Sequence, residues 1–206
     1  MIGDTARRGG MLVVAGVGWS LPSLAIALLD FVAFQASSGL AYPALGIGLV
    51  LLAMGCWLIA GGRSADFPGA LARRGMKTLA IGLLLDAGLI VLASAQPLHG
   101  SDVDVLLFPL IVAGWTTLIG FAATVLSLLI ATRRSLIVGL LFMAALGAGY
   151  AAGVFTMTYE PTDLDRALGI GLAIVAGCAF TLGLLGIAWL ALTGTKSVPE
   201  VDASRD

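Results

Sequence analysis

The chain has 206 residues, of which 59% are hydrophobic and 11% are charged, and its formal net charge is −1. Soluble domains are about 25% charged and about 45–50% apolar, so this composition excludes an ordinary soluble domain. The apolar residues form several runs of about 20 residues along the whole chain, which is typical of a polytopic helical membrane protein. A β-barrel is disfavoured because barrel strands are short alternating segments.

Six apolar runs predict an all-α bundle of six transmembrane helices in a single domain, 1–206. The spans are expected at about 11–34, 42–61, 76–95, 104–131, 135–157 and 167–192. The polar tail at 193–206 is expected to be disordered. Arg7 and Arg8 precede the first run as in an export signal, but that run exceeds the roughly 7–15 apolar residues of a signal core. We therefore interpret it as an uncleaved span.

The basic residues predict the orientation of the spans. Arg166 falls on one side of the predicted membrane, and the other ten of the eleven lysines and arginines fall on the side of both termini. These ten are Arg7, Arg8, Arg63, Arg73, Arg74, Lys77, Arg133, Arg134, Lys196 and Arg205. Because basic loops stay in the cytoplasm, both termini are predicted to be cytoplasmic, in the inner membrane of a prokaryote.

The third span carries one carboxylate, Asp86, ten residues after Met76. A carboxylate at that depth costs roughly 2.5–3.5 kcal/mol on insertion scales. No lysine or arginine lies in the middle of another predicted span, so Asp86 needs a hydrogen bond, a proton or a water-filled cavity. It is predicted to handle protons or cations. The alternatives are a neutral residue that bonds across helices and a position at the lipid boundary.

The first span is the second unusual helix. Pro22 lies about halfway along it and predicts a kink near Gly18, because proline removes a backbone hydrogen bond and clashes with the preceding turn. Trp19, Ser23 and Asp30 are spaced four and seven residues apart and therefore share a helical face. With Asp86, they are the candidates for a substrate or ion pathway. Asp30 also fits an interfacial carboxylate.

Small residues recur at four-residue spacing in the last two spans, a pattern that marks helix contacts in membranes. The stripes are Ala145, Gly149 and Gly153 in the fifth span and Gly169, Ala173 and Gly177 in the sixth. They predict packing within the bundle or, alternatively, a dimer interface. Hydroxyls within spans, such as Thr116 and Thr117, carry little information because they can bond to their own helix.

The longest internal connection holds four basic residues, Arg63, Arg73, Arg74 and Lys77. They are predicted to contact anionic lipid head groups, each contributing about 1 kcal/mol, or only to set the topology. Within this connection, 69–74 is expected to form a short interfacial helix.

The stretch from Arg73 to Leu85 resembles a span boundary in membrane acyltransferase-like proteins. The histidine that such enzymes use is missing from the predicted spans, so the resemblance implies no activity here. Six spans with both termini inside is also similar to the layout of the substrate-binding subunits of energy-coupling-factor vitamin transporters. That similarity is one of topology.

Catalytic motifs are missing from the chain, because it has no Gly-x-Ser-x-Gly, no P-loop and no histidine within a predicted span. An enzyme is therefore the least favoured function, and no cofactor, metal or nucleic acid is expected. The favoured hypothesis is a small transporter or permease-type subunit with a polar cavity around Asp86, between the first and third spans. The alternative is a non-catalytic partner that packs through its glycine-rich faces against another membrane protein or a second copy.

Overall fold

The computed structural model describes residues 2–33, 41–62, 69–95, 100–156 and 162–194. All the secondary structure in these residues is α-helical. The six helices are α1 (Ile2–Ala33), α2 (Ala41–Gly61), α3 (Ala70–Ala95), α4 (Gly100–Ala131), α5 (Arg133–Thr156) and α6 (Asp163–Thr193). Over the described residues, α2 to α6 are long and apolar enough to cross a membrane. The protein is therefore described as a multi-pass integral membrane protein.

The helices form a closed ring in chain order. Each helix packs against the next, and α6 packs back against α1. Neighbours are antiparallel: Gly9 near the start of α1 lies against Ile59 near the end of α2, and Gly16 lies against Leu52. Gly10 lies against the end of α6. The start of α1 and the end of α6 thus share one end of the ring, called here the terminal end, and the opposite end is called the distal end.

The hydrophobic core occupies the terminal half of the ring. Each helix contributes to it, and Val13, Ile59, Met76, Leu128 and Leu190 are fully buried there. Large apolar side chains on the outside of the ring are exposed at both ends, among them Ile130 and Ile137 at the terminal end and Val91 and Ile170 at the distal end. In a membrane such side chains face lipid, which is as apolar as they are. Tight packing is therefore concentrated at one end of the bundle.

Helices α1 and α2 approach most closely at glycines spaced seven residues apart. These are Gly9 and Gly16 on α1, Gly48 and Gly55 on α2, and Gly62 directly after α2. A Cβ atom placed on Gly16 would lie 2.8 Å from the backbone nitrogen of Leu52. Because seven residues make about two helical turns, glycines at this spacing stay on one face and let the two backbones meet.

The predicted four-residue stripes lie in looser surroundings. Ala145 is buried, and a Cβ atom on Gly149 would lie 3.8 Å from the Ala176 side chain. A Cβ atom on Gly153 or Gly177 would meet nothing within 4 Å. Gly169 is buried and Ala173 is exposed. The close approaches between helices occur at other glycines.

Seven of the described basic residues lie on the outside of the terminal end. Residues 70–74, expected in a separate interfacial helix, instead form the first turns of α3, where Arg73 and Arg74 are exposed. Lys77 lies over the Trp57 ring at 5.4 Å, and Arg134 lies over the Trp189 ring at 5.8 Å. Arg7, Arg8 and Arg133 are also exposed at this end, whereas Arg63 lies outside the described residues.

Candidate ligand cavity beside Asp86

Glycines bring α3 and α4 together beside Asp86. A Cβ atom on Gly75 would lie 2.8 Å from the backbone nitrogen of Thr124, and one on Gly82 would lie 2.6 Å from that of Thr117. On the facing helix, Gly120 leaves no room for a side chain against the backbone of Leu79. We call this contact the α3–α4 seam. It places the hydroxyl groups of α4 within reach of side chains on α3.

The seam holds Asp86 by one hydrogen bond. The Thr117 hydroxyl donates to Oδ2 of Asp86 at 2.7 Å, and the Asp86 side chain is half-buried. Oδ1 accepts no hydrogen bond, and Asp86 pairs with no basic side chain, among the residues that the structure describes. The carboxyl group therefore keeps one oxygen for another partner.

Asp86 lies in the wall of a cavity of about 520 Å³ inside the ring. The walls are mainly leucine, phenylalanine and small residues, and the polar side chains among them are Asp86, Thr117 and Thr124. All five helices from α2 to α6 contribute, whereas α1 contributes none of its described residues. The cavity is thus a feature of the bundle rather than a groove between two helices.

Three phenylalanines, one each from α4, α5 and α6, form an aromatic cluster in the cavity wall. The rings of Phe121 and Phe142 meet edge to face with centroids 4.9 Å apart, and the Phe180 ring lies 5.6 Å from each. Phe121 and Phe142 are buried, and Phe180 is 41% exposed. The cluster therefore begins in the core and ends at a surface that a ligand can touch.

The cavity is open to the outside of the bundle. Two of its lining side chains, Leu118 on α4 and Leu146 on α5, are 46% and 41% exposed. These helices are joined by the single residue Thr132, yet they pack less extensively than any other neighbouring pair. We call this contact the α4–α5 seam, and its loose packing gives the cavity a lateral opening.

The hydroxyl groups in the cavity wall already donate hydrogen bonds within the protein. Thr117 donates to Asp86, and Thr124 donates to the Gly120 carbonyl oxygen of its own helix at 2.8 Å. Thr116, the neighbour of Thr117, likewise donates to the Val112 carbonyl oxygen at 2.7 Å. Helical backbone groups are already bonded. With Asp86 ionised, the side chains of the cavity therefore present acceptors to a ligand and no free donor.

The structure places one of the predicted pathway residues, Asp86, in the wall of the cavity. Trp19 is half-exposed on α1 and does not line it, and the side chains of Ser23 and Asp30 lie outside those that the structure describes. A cavity was expected between the first and third spans, whereas the described one lies among α2 to α6. The physical reason is that α1 packs against α2 and α6, away from α3. The cavity is also more apolar than expected.

Sequence reasoning missed Thr117 and the aromatic cluster. Thr117 resembles Thr116, which bonds to its own helix, and no pattern distinguishes the two. The available signal was the seven-residue spacing of Gly75 and Gly82, which marks the face of α3 that approaches α4. The three phenylalanines come from separate helices and carry no local signal.

Within the described residues, no three histidine, cysteine, aspartate or glutamate side chains come together as a metal site would require. Comparison with protein-family models, with curated proteins and with solved structures finds no match for the chain. The function has to be inferred from the geometry of the cavity.

Proposed function

We propose that the protein is a transport or permease-type membrane subunit that takes a small, largely apolar molecule into the cavity beside Asp86. One observation carries the proposal: an open cavity of about 520 Å³ with apolar walls and a single carboxylate. Pockets for small molecules typically measure about 300–1,000 Å³ and combine apolar walls with a few polar groups. Ionisable residues that face the interior of a membrane bundle are typical of substrate and ion pathways.

The lateral opening and the charge distribution support this proposal. A molecule dissolved in the bilayer could enter between Leu118 and Leu146 without crossing water. The exposed basic residues described at the terminal end favour a cytoplasmic location for that end by the positive-inside rule. We propose on this basis that both termini are cytoplasmic, in a prokaryotic inner membrane, with Arg73, Arg74 and Lys77 near lipid head groups.

Two glycines of α6 provide a matched test of the cavity. Gly177 lines the cavity and Gly171 does not, and a Cβ atom placed on either meets nothing within 4 Å. Gly177→Leu should therefore narrow the cavity without disturbing the helix, and Gly171→Leu should add the same side chain elsewhere. Cells producing the wild type or either variant at equal levels are compared by mass spectrometry of their small molecules, inside and outside.

We expect at least one small molecule whose ratio of internal to external concentration differs severalfold between cells with the wild type and cells lacking the protein. Gly171→Leu should give the same difference as the wild type. The difference should be lost with Gly177→Leu. Equal profiles in all three strains and in a strain lacking the protein would overturn the proposed function.

The second candidate is a partner protein, or a homo-oligomer, that packs through α5 and α6. Gly147 and Gly171 have open space at their Cβ positions, and Ile170 and Ile174 are more than half exposed. Cys178 is exposed on the same helix, and Cys56 is buried. In native membranes of a Cys56→Ser variant, oxidation should cross-link two chains through Cys178 if a second copy covers this face. A monomer that remains under oxidation argues against the homo-oligomer.

A further inference from the structure

Asp86 and the aromatic cluster together define the chemistry of a ligand. This inference rests on the proposed function, because it assumes that the cavity is a ligand site. We infer that the cavity takes a small organic cation, an amine with an apolar body, whose ammonium group binds Asp86 and whose body lies against the phenylalanines.

The hydrogen bonds of the wall require the ligand to supply the donor. Oδ1 of Asp86 accepts nothing from the described residues, and the hydroxyl groups of Thr117 and Thr124 each already donate a hydrogen bond within the protein. An anionic or purely accepting ligand would meet no donor among these side chains. Burying a polar group without a partner costs roughly 1–3 kcal/mol in proteins, so such ligands are disfavoured.

The charges of the wall favour a cation over a neutral donor. No lysine, arginine or histidine lines the cavity, and Asp86 is the one acidic lining residue in the part of the chain that the structure describes. Between apolar walls the effective dielectric constant is low, so opposite charges in contact interact far more strongly than in water. An ionised carboxylate without a basic partner would gain most from a ligand that brings the positive charge.

The position of the rings fits the same ligand. Thr117, which bonds Asp86, is one turn from Phe121 on α4, or about 6 Å along the helix axis. Asp86 and the three rings line the same cavity, so a ligand whose ammonium group binds Oδ1 would have the cluster one helical turn away as a surface for its apolar body. Leucines such as Leu83 and Leu118 add to that apolar surface.

Three probes with the same phenylbutyl body separate the possible head groups: 4-phenylbutylamine, 4-phenylbutanol and 5-phenylpentanoate. Binding of each radiolabelled probe to the full chain in lipid nanodiscs is measured by equilibrium dialysis, with empty nanodiscs to subtract partitioning into lipid. The variants are Asp86→Asn, Thr117→Val and Gly177→Leu. Asp4→Asn, which removes an exposed carboxylate far from the cavity, is the matched control.

We expect the wild type and Asp4→Asn to bind the amine at least tenfold more tightly than the alcohol or the carboxylate. Asp86→Asn should lose that preference. Thr117→Val keeps the carboxylate and frees Oδ2, so it should retain the preference for the amine. If Asp86→Asn fails to fold, this variant still tests whether the carboxylate alone is enough for that preference. Gly177→Leu should weaken all binding.

Two outcomes would overturn the inference, and they differ in what they say about the proposed function. Equal binding of amine and alcohol that Gly177→Leu abolishes would confirm a ligand cavity and refute its preference for a cation. An amine preference that persists in Asp86→Asn would refute the role of the carboxylate. The proposed function itself would fail if no probe binds and if Gly177→Leu also leaves the cellular small molecules unchanged.

Discussion

Helix α4 takes part in two seams of opposite character. Toward α3, Gly120 meets the Leu79 backbone directly, and a Cβ atom on Gly82 would lie 2.6 Å from the Thr117 backbone nitrogen. Toward α5, Gly114 has open space at its Cβ position, and Leu118 is 46% exposed although it lines the cavity. One helix is therefore fixed along one face and left largely uncovered along another.

The difference shows how the bundle holds Asp86 in a fixed position and still leaves the cavity beside it open. Because lipid is as apolar as leucine, helices in a membrane associate through close packing and hydrogen bonds. The α3–α4 seam has both, and it holds Asp86 at a defined position. The α4–α5 seam packs closely toward the terminal end, where a Cβ atom on Gly139 would lie 3.2 Å from the Leu129 backbone nitrogen, and at the aromatic cluster. Farther toward the distal end, Gly114 and Gly147 have open space at their Cβ positions, so the space beside Asp86 stays open. The following predictions change one seam and leave the other intact.

The largest effect is expected at Gly120. Gly120→Ala places a methyl group against the Leu79 backbone and should lower the free energy of unfolding by about 2 kcal/mol, as overpacking does. Gly114→Ala, on the same helix in open space, should instead raise it by up to about 1 kcal/mol, because alanine favours helix over glycine. Unfolding in mixed detergent micelles, followed by circular dichroism, measures both. Changes of the same sign would contradict the difference between the seams.

A smaller loss is expected at the aromatic cluster, where the two seams meet. Phe142 is buried and contacts both other rings, so Phe142→Leu should cost about 1.5 kcal/mol in lost ring contacts and packing. Phe180→Leu, at a 41% exposed ring, should cost less than half as much in the same unfolding measurement. Equal losses would mean that the cluster is buried as a unit and that the cavity does not reach it.

The hydrogen bond between Thr117 and Asp86 should contribute about 1 kcal/mol, within the range for bonds between membrane helices. A double-mutant cycle with Thr117→Val, Asp86→Leu and the double variant isolates this coupling energy, because both single variants remove the hydrogen bond. Thr116→Val is the matched control, because its hydroxyl bonds within α4. A coupling energy near zero for Thr117, or an equal one for Thr116, would contradict the bond across the seam.

The smallest effect is expected outside both seams, at the start of α6. Thr162 caps this helix: its hydroxyl accepts from the Asp165 backbone nitrogen, and Oδ2 of Asp165 accepts from both its hydroxyl and its backbone nitrogen. Thr162→Ala should cost about 0.5–1 kcal/mol, as loss of a cap does, and should leave probe binding unchanged. A larger loss, or altered binding, would show that the distal end is coupled to the cavity.

The same cap predicts a pH dependence. The hydrogen bond from the Thr162 hydroxyl, and then that from its backbone, hold the pKa of Asp165 below its usual value. A lowered pKa in the folded state stabilises the protein above the pKa of the unfolded state, and this contribution disappears as the pH falls through the folded pKa. The cost of Thr162→Ala should therefore shrink in acid. A cost that is constant or grows as the pH falls would contradict the assignment.

The sequence predicted the helical class and the carboxylate that marks the cavity, because both are local properties. Runs of apolar residues identify helices without knowledge of their neighbours. Hydropathy placed the start of the third helix at residue 76, whereas α3 begins at Ala70, because Arg73 and Arg74 are polar but continue the helix. Asp86 was visible because a carboxylate in an apolar run is rare.

The partner of Asp86 depended on which helices become neighbours, and that is a property of the whole ring. Pairing Asp86 with the first span was reasonable from polarity alone, but the glycines of α1 direct it against α2 and α6. The four-residue stripes predicted helix contacts on α5 and α6, whereas α1, α2 and α3 carry glycines at seven-residue spacing where they meet a neighbouring helix. The lateral opening arises because α4 and α5 pack loosely, and loose packing between two helices has no characteristic sequence pattern.

The most direct test of the account is the binding of 4-phenylbutylamine to Gly177→Leu and Gly171→Leu in nanodiscs. Both variants add the same side chain to α6 at positions with open space, and only Gly177 lines the cavity. The account predicts that Gly171→Leu binds the amine as the wild type does and that Gly177→Leu binds it at least tenfold more weakly. Equal affinities for the two variants would contradict a ligand site beside Asp86.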